Sequence, residues 1–178
     1  DFNVLKALLN MGVDINNDCY ITYNEAANVD SLIFTNKTSI YLFREFKYFT
    51  GIKYFMFNKC SNLLAINLPE HIKNIDNECF QSCENLKNIQ IPDSCTKIGD
   101  RAFSMCSTLE TVRVSINCLS MGNSAFNSCT NLKSINIPEN CIRIGDSIFN
   151  RCTSLENIHI PESCSLIGAY AFNGCSSL

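Results

Sequence analysis

I-P-D-S-C-T-K-I-G-D-R-A-F-S-M-C, residues 91–106, decides the fold, because its residue types recur at one fixed interval along the chain. Cys106 belongs to a column at positions 60, 83, 106, 129, 152 and 175, spaced by 23 residues without a slip. Phe103 belongs to a second column (57, 80, 103, 126, 149, 172), Cys95 to a third (95, 118, 141, 164) and Gly99 to a fourth (99, 122, 145, 168). Leucines follow the first cysteine column three residues later, and Ile66, Ile89, Val112, Ile135 and Ile158 come next, with Leu68, Ile91, Val114, Ile137 and Ile160 two residues beyond. Only Ile72, Asp76, Cys79, Ser115 and Ile148 break the better-kept columns. A unit this short has no interior of its own, so identical coils must stack to bury a continuous core. Within each unit the I-x-I step alternates like a strand. Pro69, Pro92, Pro138 and Pro161 end it, and the glycine column marks a turn before the A-F-x-x-C element. Neighbouring strands then form a parallel sheet with the apolar columns inward.

The unit L-x-x-I-x-I-P-x-x-C-x-x-I-G-x-x-A-F-x-x-C resembles the BspA-like branch of the leucine-rich repeat superfamily over roughly residues 50 to 178. The resemblance implies a β-rich α/β, right-handed leucine-rich-repeat solenoid, with a parallel sheet on one face and short helical or 3-10 turns elsewhere. Cys95, Cys118, Cys141 and Cys164 stand where the family usually has Val, one small buried residue for another.

Composition narrows the function. Fourteen basic against 17 acidic side chains give a net charge of −3, no footprint for a polyanion, so nucleic acid is excluded as a partner. No apolar run approaches the ~18 residues of a membrane helix. The twelve cysteines are read first as small buried hydrophobes in a repeating column. Disulfides between coils are the alternative, since strands ~4.8 Å apart lie within the reach of the bond, although a ladder of equally spaced thiols would have to break into pairs. Zinc fits worst, because no C-x-x-C occurs.

Residues 1–28 leave the repeat. Asp14-Ile15-Asn16-Asn17-Asp18-Cys19-Tyr20-Ile21-Thr22-Tyr23-Asn24-Glu25 places oxygen donors at loop positions 1 (Asp14), 3 (Asn16), 5 (Asp18), 9 (Thr22) and 12 (Glu25), with the Tyr20 carbonyl at 7. That spacing resembles a single EF-hand or dockerin-type calcium loop, flanked by helical patterns at 2–9 and 25–29, and calcium is the one cofactor it suggests. Cys19 dissents, standing where the loop needs a glycine's positive φ. The alternative is an Asx-rich turn that joins two helical pieces and caps the solenoid. Residues 29–58, rich in aromatics, read as an atypical first repeat closing the open end, or else as an aromatic binding patch. Residues 59–178 are the repeats, and the stop at Leu178 within a unit suggests a longer array.

No catalytic constellation is present: His71 and His159 are isolated, and G-x-S-x-G, a P-loop and H-E-x-x-H are all missing. The candidate site is the outward ladder of the strands, Ala65 and Asn67, Asn88 and Gln90, Thr111 and Arg113, Ser134 and Asn136, Asn157 and His159. It is polar and mostly neutral, suited to hydrogen bonding with an extended protein or a glycan, or simply a solvated strand face. By the family resemblance, the expected role is a non-enzymatic interaction module of an extracellular or cell-surface bacterial-type protein, adhering to host or matrix proteins. Its alternatives are glycan binding, or a rigid spacer that carries another domain.

Overall fold

The computed structural model describes the whole chain, Asp1–Leu178. Two helices come first, α1 (Phe2–Asn10) and α2 (Tyr23–Ala27), then β1 (Ser31–Ile33), β2 (Leu42–Phe43), a 3-10 turn (Arg44–Tyr48) and β3 (Tyr54–Met56). Each later coil supplies two strands: β4 (Ala65–Ile66) and β5 (Asn74–Ile75), β6 (Asn88–Gln90) and β7 (Lys97–Ile98), β8 (Thr111–Arg113) and β9 (Ser120–Met121), β10 (Ser134–Asn136) and β11 (Arg143–Ile144), β12 (Asn157–His159) and β13 (Leu166–Ile167). The first strands pair in parallel as β6–β8–β10–β12, and the second strands as β5–β7–β9–β11–β13. Each register step is one repeat, with Ile89 opposite Val112 and Ile75 opposite Ile98. The chain is the stacked solenoid that its period requires.

Two features refine the expected coil. The two residues before each glycine of the column, Lys97–Ile98 and its equivalents, form a second parallel sheet, and the turn marked by the glycines follows from Asp100. A two-residue strand has no alternation to read, and its identity comes from pairing with the coils on either side. The third side, A-F-x-x-C, carries no helical or 3-10 segment in the repeats. Arg101 (φ 53°) and Met105 (φ 63°) are left-handed, as are Ser124 and Ser128, and Ser147 and Arg151, in later coils. A left-handed residue at each end interrupts any helical run. The N–H groups of Arg101, Phe103 and Met105 instead donate to the carbonyls of Asn123, Ala125 and Asn127 in the next coil, each at 2.8 Å.

Close approach of coils explains the glycine column. A Cβ on Gly145 would lie 2.5 Å from the carbonyl carbon of Gly122 and 2.6 Å from the Asn123 nitrogen, closer than real atoms pack, so any side chain would force two coils apart. Beside it runs a side-chain ladder in which Asn77, Asp100, Asn123 and Asp146 each accept from the backbone N–H one coil further on, at 2.7–2.9 Å. Amide and carboxylate alternate, which keeps like charges from stacking directly.

Inside, Phe80, Phe103, Phe126 and Phe149 are fully buried and stack with centroids 5.3, 5.3 and 5.7 Å apart. The thiols of Cys106, Cys129 and Cys152 donate back to the carbonyls of Phe80, Phe103 and Phe126 at 3.1, 3.2 and 3.1 Å. Those of Cys95, Cys118 and Cys141 donate to the carbonyls of Lys97, Ser120 and Arg143. Valine fills a comparable volume but has no donor, which gives a physical reason for cysteine in both columns. All twelve cysteines are unpaired.

The period also reaches further back than the letters show. β1 pairs with β3, placing Leu32 opposite Phe55, and β2 with β4, placing Phe43 opposite Ile66, again one repeat apart. Phe34 stacks on Phe57 at 5.3 Å and accepts from the Cys60 thiol. Aromatic-for-aliphatic exchanges such as Phe43 for Ile66 are what make this first repeat atypical in its letters. Beyond it, α1 and α2 close the end with buried Val4, Leu8, Val13 and Ala26. The Asp1 carboxylate caps α1 through the Asn3 N–H and also accepts from the Tyr41 and Leu42 N–H groups, so edge donors of β2 gain partners.

Candidate functional site

Alternation fixes which side chains the four-stranded sheet presents. Asn88, Gln90, Thr111, Arg113, Ser134, Asn136, Asn157 and His159 are exposed, whereas Ile89, Val112 and Ile135 turn inward. Asn67 lies exposed just after β4. The structure brings five of these nine candidates, Asn67, Asn88, Gln90, Thr111 and Arg113, into one open groove of about 880 Å³. Ser134, Asn136, Asn157 and His159 continue the same ladder beyond it.

The far wall is the 3-10 turn, which contributes Arg44, Lys47 and Tyr48, and Glu70 lies on the rim. Sequence reasoning missed Arg44, Lys47 and Tyr48 by treating residues 29–58 first as a cap, and Glu70 because it follows the strand ladder. The available signal was the i, i+3 spacing of Arg44 and Lys47 around the fully buried Phe46, which turns both cations outward once Phe46 is anchored. Ile66, Leu68, Ile89 and Val112 underlie the groove.

Of the groove's charges, Arg113 is held by a neighbour one coil away. Arg113 Nη2 donates to Asp93 Oδ2 at 3.0 Å with both side chains partly exposed, and this bond keeps the Asp93 carboxyl below the usual carboxylate range. The same relation returns at His159 and Glu139, 3.6 Å apart. Exposed pairs of this kind are screened by solvent, so they orient side chains more than they stabilise the fold. The Thr111 hydroxyl donates to the Asn88 side-chain oxygen. The Lys47 ammonium sits 4.9 Å from the centroid of the Tyr48 ring, and Tyr23 meets the same ring edge-on at 4.8 Å.

Of the six positions named as calcium donors, Asp14, Asn16, Asp18 and Tyr20 lie in the loop between α1 and α2, Thr22 is the N-cap of α2 and Glu25 stands in its first turn. Cys19 adopts the left-handed backbone (φ 68°) required at the sixth position. As folded, the carboxylates are engaged with the backbone. Asp14 accepts from the Asp18 and Cys19 N–H groups, Asp18 from Tyr20, and Glu25 from the N–H groups of Ile15 and Thr22 and from the Thr22 hydroxyl. Thr22 returns a bond from the Glu25 N–H, completing a capping box for α2. The Thr22 N–H, foremost among these donors, holds Glu25 below its ordinary pKa. No three His, Cys, Asp or Glu side chains converge to hold a metal, so calcium would have to displace N–H contacts. No helix is long and apolar enough to cross a membrane.

Residues 50–178 match the BspA type leucine rich repeat region, in six copies. No curated protein matches the chain in sequence. Among solved structures the chain is similar to a leucine rich repeat protein of T. pallidum, at 28% identity and TM-score 0.64, over 65% of this chain and 56% of that one. It is also similar to a leucine rich cell surface protein of Faecalibacterium prausnitzii, at 27% identity and TM-score 0.60, over 72% and 44%. A leucine-rich repeat protein of Bacteroides ovatus follows at 27% identity and TM-score 0.58, over 86% and 44%. The chain therefore spans about half the length of these relatives. With the signature residues lining one stacked core and the matched region covering most of the length, the chain belongs to the BspA-type leucine-rich repeat family.

Proposed function

We propose that the chain is a non-enzymatic protein-interaction module of an extracellular or cell-surface bacterial-type protein, adhering to host or matrix proteins through the outer face of the four-stranded sheet. The observation that carries this reading is the groove itself, where five strand-face side chains and a second wall from the 3-10 turn meet on a repeat scaffold. Leucine-rich repeat proteins commonly bind proteins, and the similar F. prausnitzii protein is described as a cell surface protein. The face is rigid because each rung is tied to the next by backbone bonds, so little ordering entropy is spent on binding.

The test is surface binding of the intact chain to immobilised matrix proteins, beside a variant carrying Arg113→Ala, Asn136→Ala and His159→Ala. Saturable binding weakened at least tenfold in the variant is expected. Binding that is unchanged in the variant, or no binding to any panel member, would overturn the strand-face site, the latter in favour of a rigid spacer.

For the loop at 14–25 we propose weak calcium binding by Asp14, Asn16, Asp18, Thr22, Glu25 and the Tyr20 carbonyl, supported by the left-handed backbone of Cys19. Three carboxylates give a site suited to millimolar extracellular calcium. Millimolar calcium is expected to raise the melting temperature of the intact chain but not of Asp14→Ala/Glu25→Ala. An intact chain that melts at the same temperature with and without calcium refutes the loop as a site.

A further inference from the structure

We infer that the groove beneath the 3-10 turn takes an extended acidic peptide segment of a partner protein. The inference rests on the proposed reading of the strand face as a binding surface, and it names the chemistry that this part of the face selects.

Charge is the first argument. The chain as a whole carries −3, yet the groove gathers Arg44, Lys47 and Arg113 against Glu70 in its lining and Asp93 beside Arg113. Arg44 and Lys47 are exposed and make no ion pair, and Arg113 gives only one nitrogen to Asp93. A locally cationic cleft on an anionic molecule attracts anionic segments and disfavours basic ones. The spacing supports a linear occupant, because the cations stand on opposite walls with Asn67, Asn88 and Gln90 between them. Those amides each offer a donor and an acceptor to a peptide backbone.

The remaining lining separates a peptide from an acidic glycan. Sugars dock on open aromatic faces, and Tyr48 is the one aromatic in the groove. Its ring is already engaged, with the Lys47 ammonium at 4.9 Å and the edge contact of Tyr23 at 4.8 Å. Ile66, Leu68, Ile89 and Val112 are buried beneath the amides, so the open surface of the groove is cationic and amide-lined, which suits the carboxylates and backbone of an extended acidic peptide.

The probe is a fluorescein-labelled peptide of alternating Glu and Leu, followed by anisotropy against the intact chain at about 50 mM salt. Saturable binding is expected, weakened at least tenfold in Arg44→Ala/Lys47→Ala and in about 500 mM salt, and lost when Gln replaces Glu. Both substituted side chains are on the surface, and an unchanged melting temperature verifies that the variant is folded. Equal binding of the Gln peptide, or no effect of the double variant, overturns the inference. So does a heparin fragment that binds in this groove while the Glu-Leu peptide does not. If matrix-protein binding is lost in the Arg113/Asn136/His159 variant but indifferent to Arg44→Ala/Lys47→Ala, the acidic-peptide inference fails while the strand-face reading stands.

Discussion

Raising the pH from 8 to 10 is expected to unfold the chain, in a single steep and reversible transition. Nine cysteines are fully buried, and burial pushes their thiols up: Cys60 to about 11, Cys118 and Cys152 to about 12, and Cys79, Cys83, Cys106 and Cys129 well above the ordinary value. Cys95 and Cys141 move in the same direction. An unfolded thiol ionises near pH 8.5. Because the folded-state values are raised, the stabilising difference is whole below about pH 8.5, where both states keep their protons. It falls as pH rises, since the unfolded chain sheds protons that the folded chain retains. Each of the seven strongly shifted thiols then removes about 1.4 kcal/mol per pH unit, together about 10 kcal/mol per unit, comparable to the entire stability of a typical domain. The midpoint should therefore lie within about one unit of the free thiol value. Far-ultraviolet circular dichroism in reductant, scanned upward in pH and back to 7, measures it. Retention of the sheet signal to about pH 11 would contradict the buried, protonated ladder. A thiol reagent at pH 7.5 should find the exposed Cys19 at once and all twelve only after denaturation.

Phe126→Ala should cost about 3–5 kcal/mol. Its ring is fully buried and lies between Phe103 at 5.3 Å and Phe149 at 5.7 Å. Removing it leaves a void that neither neighbour can fill without leaving its own coil. Its carbonyl, which accepts the Cys152 thiol, survives the substitution, so the loss reports packing rather than a broken hydrogen bond. A solenoid conducts stability only from neighbour to neighbour. The gap therefore also uncouples the coils before it from those after it, and urea unfolding should become broader or biphasic. Phe172, in the last coil and only partly buried, is the control, and its alanine variant should cost less than about 2 kcal/mol. A shift below about 1 kcal/mol for Phe126→Ala would mean that the phenylalanine column is not interior.

Both effects are readable from the sequence because periodicity acts on every coil at once. A column that repeats without a slip must sit in equivalent surroundings each time, and only stacking supplies a core to units so short. The 23-residue interval by itself determined the solenoid, its inward columns and the polar strand ladder from Asn88 to His159. What the tertiary structure decided depended on neighbours rather than on residue type. The K-I-G strands exist because the adjacent coils offer partners at the right separation. The left-handed positions at Arg101 and Met105 are held by bonds to the following coil. The coil from Ser31 reads only as an atypical repeat, and its register comes from the structure, because Phe34, Ile40 and Phe43 keep the burial of the repeat while changing its letters. The groove was least legible of all. Arg44 and Lys47 come to share a groove with Arg113 only after two coils have been laid down between them, and no local pattern encodes a distance set by stacking.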